Sequence, residues 1–127
     1  MSMPMALLSW AAFLGLIHAV STGAVVMAEH GAEYSSSPRD EDRPVSPAKS
    51  RNIRAFANFM QTFPIFAVAV LVSHAYGRDE GSATWGAQFY FWARLFYVPL
   101  YVTGSKYRSA VWFVSLIGVL LVFWSIA

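Results

Sequence analysis

The 127-residue chain is a succession of long apolar runs separated by short polar interruptions. A helix needs about 20 predominantly apolar residues, at about 1.5 Å each, to cross the hydrocarbon of a bilayer. The pattern predicts four such helices, at residues 5–27, 47–76, 85–103 and 107–126, with a loop over 28–46. The fold class is therefore an all-α integral membrane protein, a four-transmembrane-helix bundle formed as a single domain over residues 1–127. The first run lacks the positive charge that opens a signal peptide, and it is long for one, so it reads as the first membrane helix. Proline and serine dominate the 28–46 loop, together with Arg39, Asp40, Glu41, Asp42 and Arg43, and such a segment cannot build a core. Pro47 after Ser46 suits the first turn of the second helix. Pro64 and Pro99 each remove a backbone hydrogen bond and predict bends inside their helices.

Polar residues inside the apolar runs are not scattered. Arg51, Arg54, Asn58 and Gln61 follow one another at steps of three, four and three, which returns them to one face of a helix. Arg94, Tyr97, Tyr101 and Arg108 form a second series at three, four and seven. Two such stripes facing each other would line a site with arginine, asparagine, glutamine and tyrosine at the shoulder of the bilayer. No Asp or Glu occurs between Arg51 and Arg78, or from Trp85 to the end of the sequence. Arginine in hydrocarbon costs roughly 2.5 kcal/mol or more near a helix centre, so it finds a partner, water or a headgroup. An exogenous anion suits these guanidinium forks, while Asn58 and Gln61 both donate and accept. Snorkelling to lipid phosphates is the competing reading, most apt for Arg51 and Lys106. His18, alone on its helix, reads as a neutral hydrogen-bonded packing residue and supports no metal site.

Composition agrees with the pattern: 57% of residues are hydrophobic and 13% charged, far from a soluble domain. The net charge of +2 is spread over short segments, so there is no continuous basic face for nucleic acid. The absence of cysteine excludes disulfides and thiolate ligands or nucleophiles from the chain itself. Lys and Arg gather in the first loop and helix-two entrance and again at Lys106 and Arg108, whereas the middle turn has only Arg78. The positive-inside rule then places residues 28–50 and 103–108 in the cytoplasm and both termini outside.

The segments RNIRAFANFMQTFPIF and ARLFYVPLYVTGSKYRSAVW carry a family resemblance. They resemble the signatures of the membrane-associated proteins in eicosanoid and glutathione metabolism (MAPEG), in a bacterial-type form, and the four-helix pattern extends the likeness over nearly the whole chain. The resemblance implies a homotrimer binding glutathione as cosubstrate between subunits near the cytoplasmic side. Arg54, Asn58 and Gln61 would hold the tripeptide from one subunit, with Arg94, Tyr97 and Tyr101 joining from its neighbour. Arg108 matches the arginine that stabilises the glutathione thiolate. Two positions depart from the family pattern: Gln61 stands where a glutamate is usual, and Phe56 where a polar residue is common. The implied activity is a glutathione-dependent transferase or peroxidase acting on a hydrophobic electrophile, in a bacterial inner membrane. The alternative is a non-catalytic protein of the same fold that binds lipids or a hydrophobic small molecule. A proton-coupled transporter would be expected to carry a carboxylate inside the membrane, and the apolar interiors have none.

Overall fold

In a computed structural model, residues 2–36 and 46–127 are described. They form α1 (Met3–Ser36), α2 (Pro47–Ala75), α3 (Ser82–Val102) and α4 (Arg108–Ile126). Three are long and apolar enough to cross a membrane, over Met3–Ala24, Lys49–Ala75 and Arg108–Ile126. The fourth, α3, carries Gln88 and Arg94 and packs against all three others. Its 21 residues extend about 31 Å, matching the hydrocarbon thickness. Among the described residues α1 and α4 do not touch, so the bundle is a diamond with α2 and α3 on its short diagonal.

Two helix ends differ by three residues or more from those the apolar runs suggest. The first helix continues beyond residue 27 to Ser36, interrupted at Gly31, whose φ of 85° and ψ of 165° are left-handed backbone open to glycine. Bilayer thickness limits the apolar part of a helix and not the helix itself, so Ala28, Glu29 and their neighbours continue it. The remainder of the predicted loop, residues 37–45 with Arg39 to Arg43, lies outside the described residues. The third helix begins at Ser82, ahead of Trp85, because Ala83 and Gly86 are already buried against the bundle. Pro47 does occupy the first turn of α2 behind Ser46, and Pro64 and Pro99 lie within continuous helix.

All four helices contribute to the core: Leu7 and Ala11, Phe66, Ala69 and Val70, Ala87 and Tyr90, Val119 and Val122. The rings of Phe66 and Tyr90 stack with centroids 4.0 Å apart. The Tyr90 hydroxyl meets Thr62 Oγ1 at 3.0 Å, which satisfies both polar groups within the core. Between α3 and α4 the backbones come close together at Gly86 and Gly118. A Cβ on Gly86 would lie 2.4 Å from the Gly118 carbonyl oxygen, and one on Gly118 would lie 2.6 Å from that of Gly86. With no side chain at either position the two backbones meet directly, the usual means of tight association where water supplies no driving force.

At one end of the bundle the α2–α3 turn is tied down. Ser73 donates to the Arg78 carbonyl at 2.6 Å, and Arg78 donates to the carbonyls of Ile126 and Ala127. His74 Nδ1 donates to Asp79 at 2.6 Å. This bond, and a second from Ser2, hold the Asp79 carboxyl below the usual aspartate range. The opposite end carries the arginine and tyrosine stripes.

Candidate functional site

The α2 stripe lies along the border between a buried and an exposed face. Ala55, Phe59, Thr62 and Phe66 turn into the bundle, while Ala57, Ile65 and Val68 stay outside. Arg51 and Asn58 engage α3: Arg51 donates to the Val102 carbonyl at 3.4 Å, and Asn58 Oδ1 accepts from Arg94 at 3.0 Å. Arg54 and Gln61 remain exposed on α2. Arg54 donates to Ser50 Oγ at 3.1 Å, one turn back on its own helix. Gln61 has no hydrogen-bond partner among the described residues.

The second stripe is continuous. Arg94 is 1% exposed, the largest fully buried side chain among the described residues. Its guanidinium carbon sits 4.4 Å from the Tyr97 ring centroid and 5.6 Å from that of Phe59. Tyr97, itself buried, packs against Tyr101 with centroids 5.5 Å apart, and the Arg108 guanidinium lies 5.2 Å from the Tyr101 ring. Asn58, Arg94, Tyr97, Tyr101 and Arg108 thus form one connected path from α2 through α3 to the start of α4. Cation–π contacts of this kind contribute about 0.5–2 kcal/mol each, more when desolvated. Arg94 Nε and Nη1 are buried without a hydrogen-bond partner, so Asn58 Oδ1 is the one hydrogen-bond acceptor its guanidinium has among the described residues.

Of the seven residues expected to form the site, the structure therefore brings Asn58, Arg94, Tyr97, Tyr101 and Arg108 together and leaves Arg54 and Gln61 apart on the neighbouring open face. It also separates them by exposure. Arg94 and Tyr97 lie inside the bundle, whereas Arg54, Tyr101 and Arg108 retain exposed surface. None of Arg51, Arg54, Arg94 or Arg108 forms an ion pair with a carboxylate among the described residues. No group of described residues could hold a metal ion.

One polar cluster is absent from both stripes. His18 Nε2 lies 3.0 Å from the Asn52 carbonyl oxygen and 3.1 Å from Asn52 Oδ1. Asn52 Nδ2 donates to Ser21 Oγ at 3.1 Å, and Ser21 donates to the His18 carbonyl at 2.7 Å. Phe56 covers the imidazole edge-on at 5.2 Å. Asn52 is hidden in the sequence because it follows Arg51 and falls off the stripe spacing. The available signal was a second amide at the membrane entrance of α2, within reach of a histidine on α1.

The fold and site together define a helical membrane protein with a cationic, tyrosine-lined shoulder at one end, whose guanidinium groups pair with no carboxylate among the described residues. Comparison with protein families places the whole of this architecture: the MAPEG family matches residues 5–127, and the chain belongs to it. MAPEG proteins are membrane helical bundles, generally trimeric, and include glutathione transferases, peroxidases and proteins with other roles. No match is found among curated proteins.

Proposed function

We propose that this protein is a bacterial-type MAPEG enzyme, a homotrimer that conjugates glutathione to a hydrophobic electrophile or uses it to reduce a lipid hydroperoxide. The observation that carries the reading is the set of guanidinium groups at one end of the bundle with no described carboxylate beside them. Glutathione carries two carboxylates and, once ionised, a thiolate, and the donor set fits these groups. Arg54 and Asn58 bind the tripeptide on α2, with Gln61 offering its amide oxygen to the ligand's ammonium. Arg94 and Tyr97 act from behind, holding Asn58 and Tyr101 in place. Arg108 favours the thiolate over the thiol by its charge.

In the transfer reaction the thiol proton leaves to solvent, and the sulfur lone pair forms a bond to the electrophilic carbon. A leaving group departs with the displaced electron pair, or a proton adds at the neighbouring carbon. In the reduction, two glutathiones become a disulfide as the hydroperoxide becomes an alcohol and water. Trimer formation is supported by the face carrying Arg54, Ala57, Gln61 and Val68, exposed in a single subunit. An amide in hydrocarbon without a partner is costly, and a neighbouring subunit supplies one. The basic residues near this end favour a cytoplasmic shoulder of an inner membrane and termini on the other side.

The test is glutathione titration of the protein in lipid nanodiscs, following thiolate absorbance against pH and then adding a hydrophobic electrophile. Arg108→Ala should raise the bound-thiol pKa and slow conjugation, with Arg108→Lys intermediate if charge dominates. An unchanged thiol pKa in both variants removes Arg108 from the role, and absence of glutathione binding removes the enzyme reading. The second reading, a lipid- or small-molecule-binding protein of the same fold, is favoured by a groove of about 500 Å³ between α3 and α4, walled by Trp85, Phe89, Trp92 and Phe96. Binding of an apolar ligand without thiolate formation would select it.

A further inference from the structure

The cluster of His18, Ser21 and Asn52 borders a cavity of about 230 Å³ between α1, α2 and α3, whose other walls are Leu14, Ile17, Leu95, Val98 and Pro99. The hydrogen bonds around it fix where the protons lie. The Asn52 backbone oxygen can only accept, so His18 Nε2 must carry hydrogen and donate to it. The same proton is shared with Asn52 Oδ1. Ser21 spends its only proton on the His18 carbonyl, so its oxygen accepts from Asn52 Nδ2, which confirms the amide's orientation. A neutral His18 is then the Nε2–H tautomer, and its Nδ1 keeps a lone pair with no partner among the described residues. Asn52 keeps a second Nδ2 hydrogen. The side chains lining the cavity therefore retain one acceptor and one donor, although His18 is only 6% exposed.

We propose that this cavity is a binding site for the hydroxyl group of an apolar amphiphile, a phenol or a long-chain alcohol. The hydroxyl hydrogen is donated to His18 Nδ1, and the hydroxyl oxygen accepts from Asn52 Nδ2. Position and size support this occupant. His18 and Ser21 lie near the end of the Met3–Ala24 span and Asn52 near the start of the Lys49–Ala75 span, so the polar floor is at the membrane shoulder, where an amphiphile's hydroxyl resides. A volume of about 230 Å³ holds a ring or several methylenes, against roughly 30 Å³ for one water. A network serving only to join α1 to α2 needs neither the free lone pair nor the space beside it. The site is separate from the glutathione reading and does not depend on it.

The experiment uses the full chain in lipid nanodiscs, labelled with ¹⁵N-histidine, and titrates para-heptylphenol against para-heptylanisole. The ether matches the phenol in shape and keeps the acceptor oxygen but has no hydrogen to donate. The phenol should bind about tenfold more tightly, the value of one hydrogen bond to a buried acceptor, and should move the His18 Nδ1 resonance. The ether should leave that resonance in place. Ile17→Trp, at a wall position exposed to lipid, should fill the cavity and weaken both ligands without touching the network. His18→Phe should abolish the preference for phenol; if that variant does not fold, the ligand pair and Ile17→Trp still decide. Equal binding of phenol and ether, an unmoved Nδ1 resonance at saturation, or undiminished binding to Ile17→Trp would each overturn the proposal.

Discussion

Replacing Gly86 by alanine adds a single methyl group, and the structure sets what it meets. The new Cβ would be 2.4 Å from the Gly118 carbonyl oxygen and 2.9 Å from both Leu121 Cβ and Val122 Cγ2. A relaxed carbon–oxygen contact is about 3.3 Å, so the helices must part by roughly 0.9 Å at this point. The obstruction is backbone on a rigid helix and cannot swing aside as a side-chain tip would. Parting α3 from α4 also loosens Tyr90 and Val122, both fully buried. Overpacking costs about 1–3 kcal/mol, and an obstruction made of backbone belongs at the upper end of that range. Gly118→Ala meets the reciprocal contacts, 2.6 Å to the Gly86 oxygen and 2.7 Å to the Tyr90 nitrogen, and should cost a similar amount. Because one displacement relieves both, the double variant should lose less than the sum. Gly23→Ala is the control: nothing lies within 4 Å of its Cβ, and alanine is favoured over glycine by about 1 kcal/mol within a helix. Unfolding in mixed detergent micelles, followed by circular dichroism, measures all four variants. A Gly86→Ala protein as stable as Gly23→Ala would refute the direct backbone contact.

Asn58→Ala removes the one hydrogen bond to the buried Arg94 and should cost about 1.5–3 kcal/mol in the same unfolding assay, whereas Arg54→Ala on the open face should change stability by less than about 0.5 kcal/mol. Equal effects would mean that Arg94 finds another partner. Gln61→Glu should strengthen glutathione binding, by calorimetry, if the ligand ammonium lies beside it, since a charge-assisted bond replaces a neutral one against some desolvation cost; equal or weaker binding would exclude that contact. Asp79 has its folded pKa depressed by the His74 hydrogen bond, so its contribution is fully present above the unfolded aspartate value of about 3.9 and is lost as pH falls through the lower folded value. The stability advantage of wild type over Asp79→Asn should accordingly hold at neutral pH and close only in strong acid, and an advantage that closes above about pH 5 would contradict the depressed value.

The apolar runs alone determined an all-helical membrane bundle, because a bilayer admits a backbone only when its hydrogen bonds close within each segment. The three- and four-residue spacings likewise brought Arg94, Tyr97 and Tyr101 onto one face, since that periodicity is a property of the helix itself, whereas Arg108, beyond a turn on α4, joins them through the packing of α4 against α3. Spacing does not fix how far a helix is rotated about its own axis. Only packing decided that Asn58 faces α3 while Gln61, three residues on, stays outside, and that Arg94 is sealed behind Tyr97. Helix ends outside the apolar runs were also undecided by hydropathy, so the extension of α1 through Gly31 to Ser36 was not legible. The His18, Asn52 and Ser21 cluster joins residues more than thirty positions apart. Its hydrogen bonds exist only once α1 and α2 are packed, and one-dimensional periodicity carries no record of which faces meet.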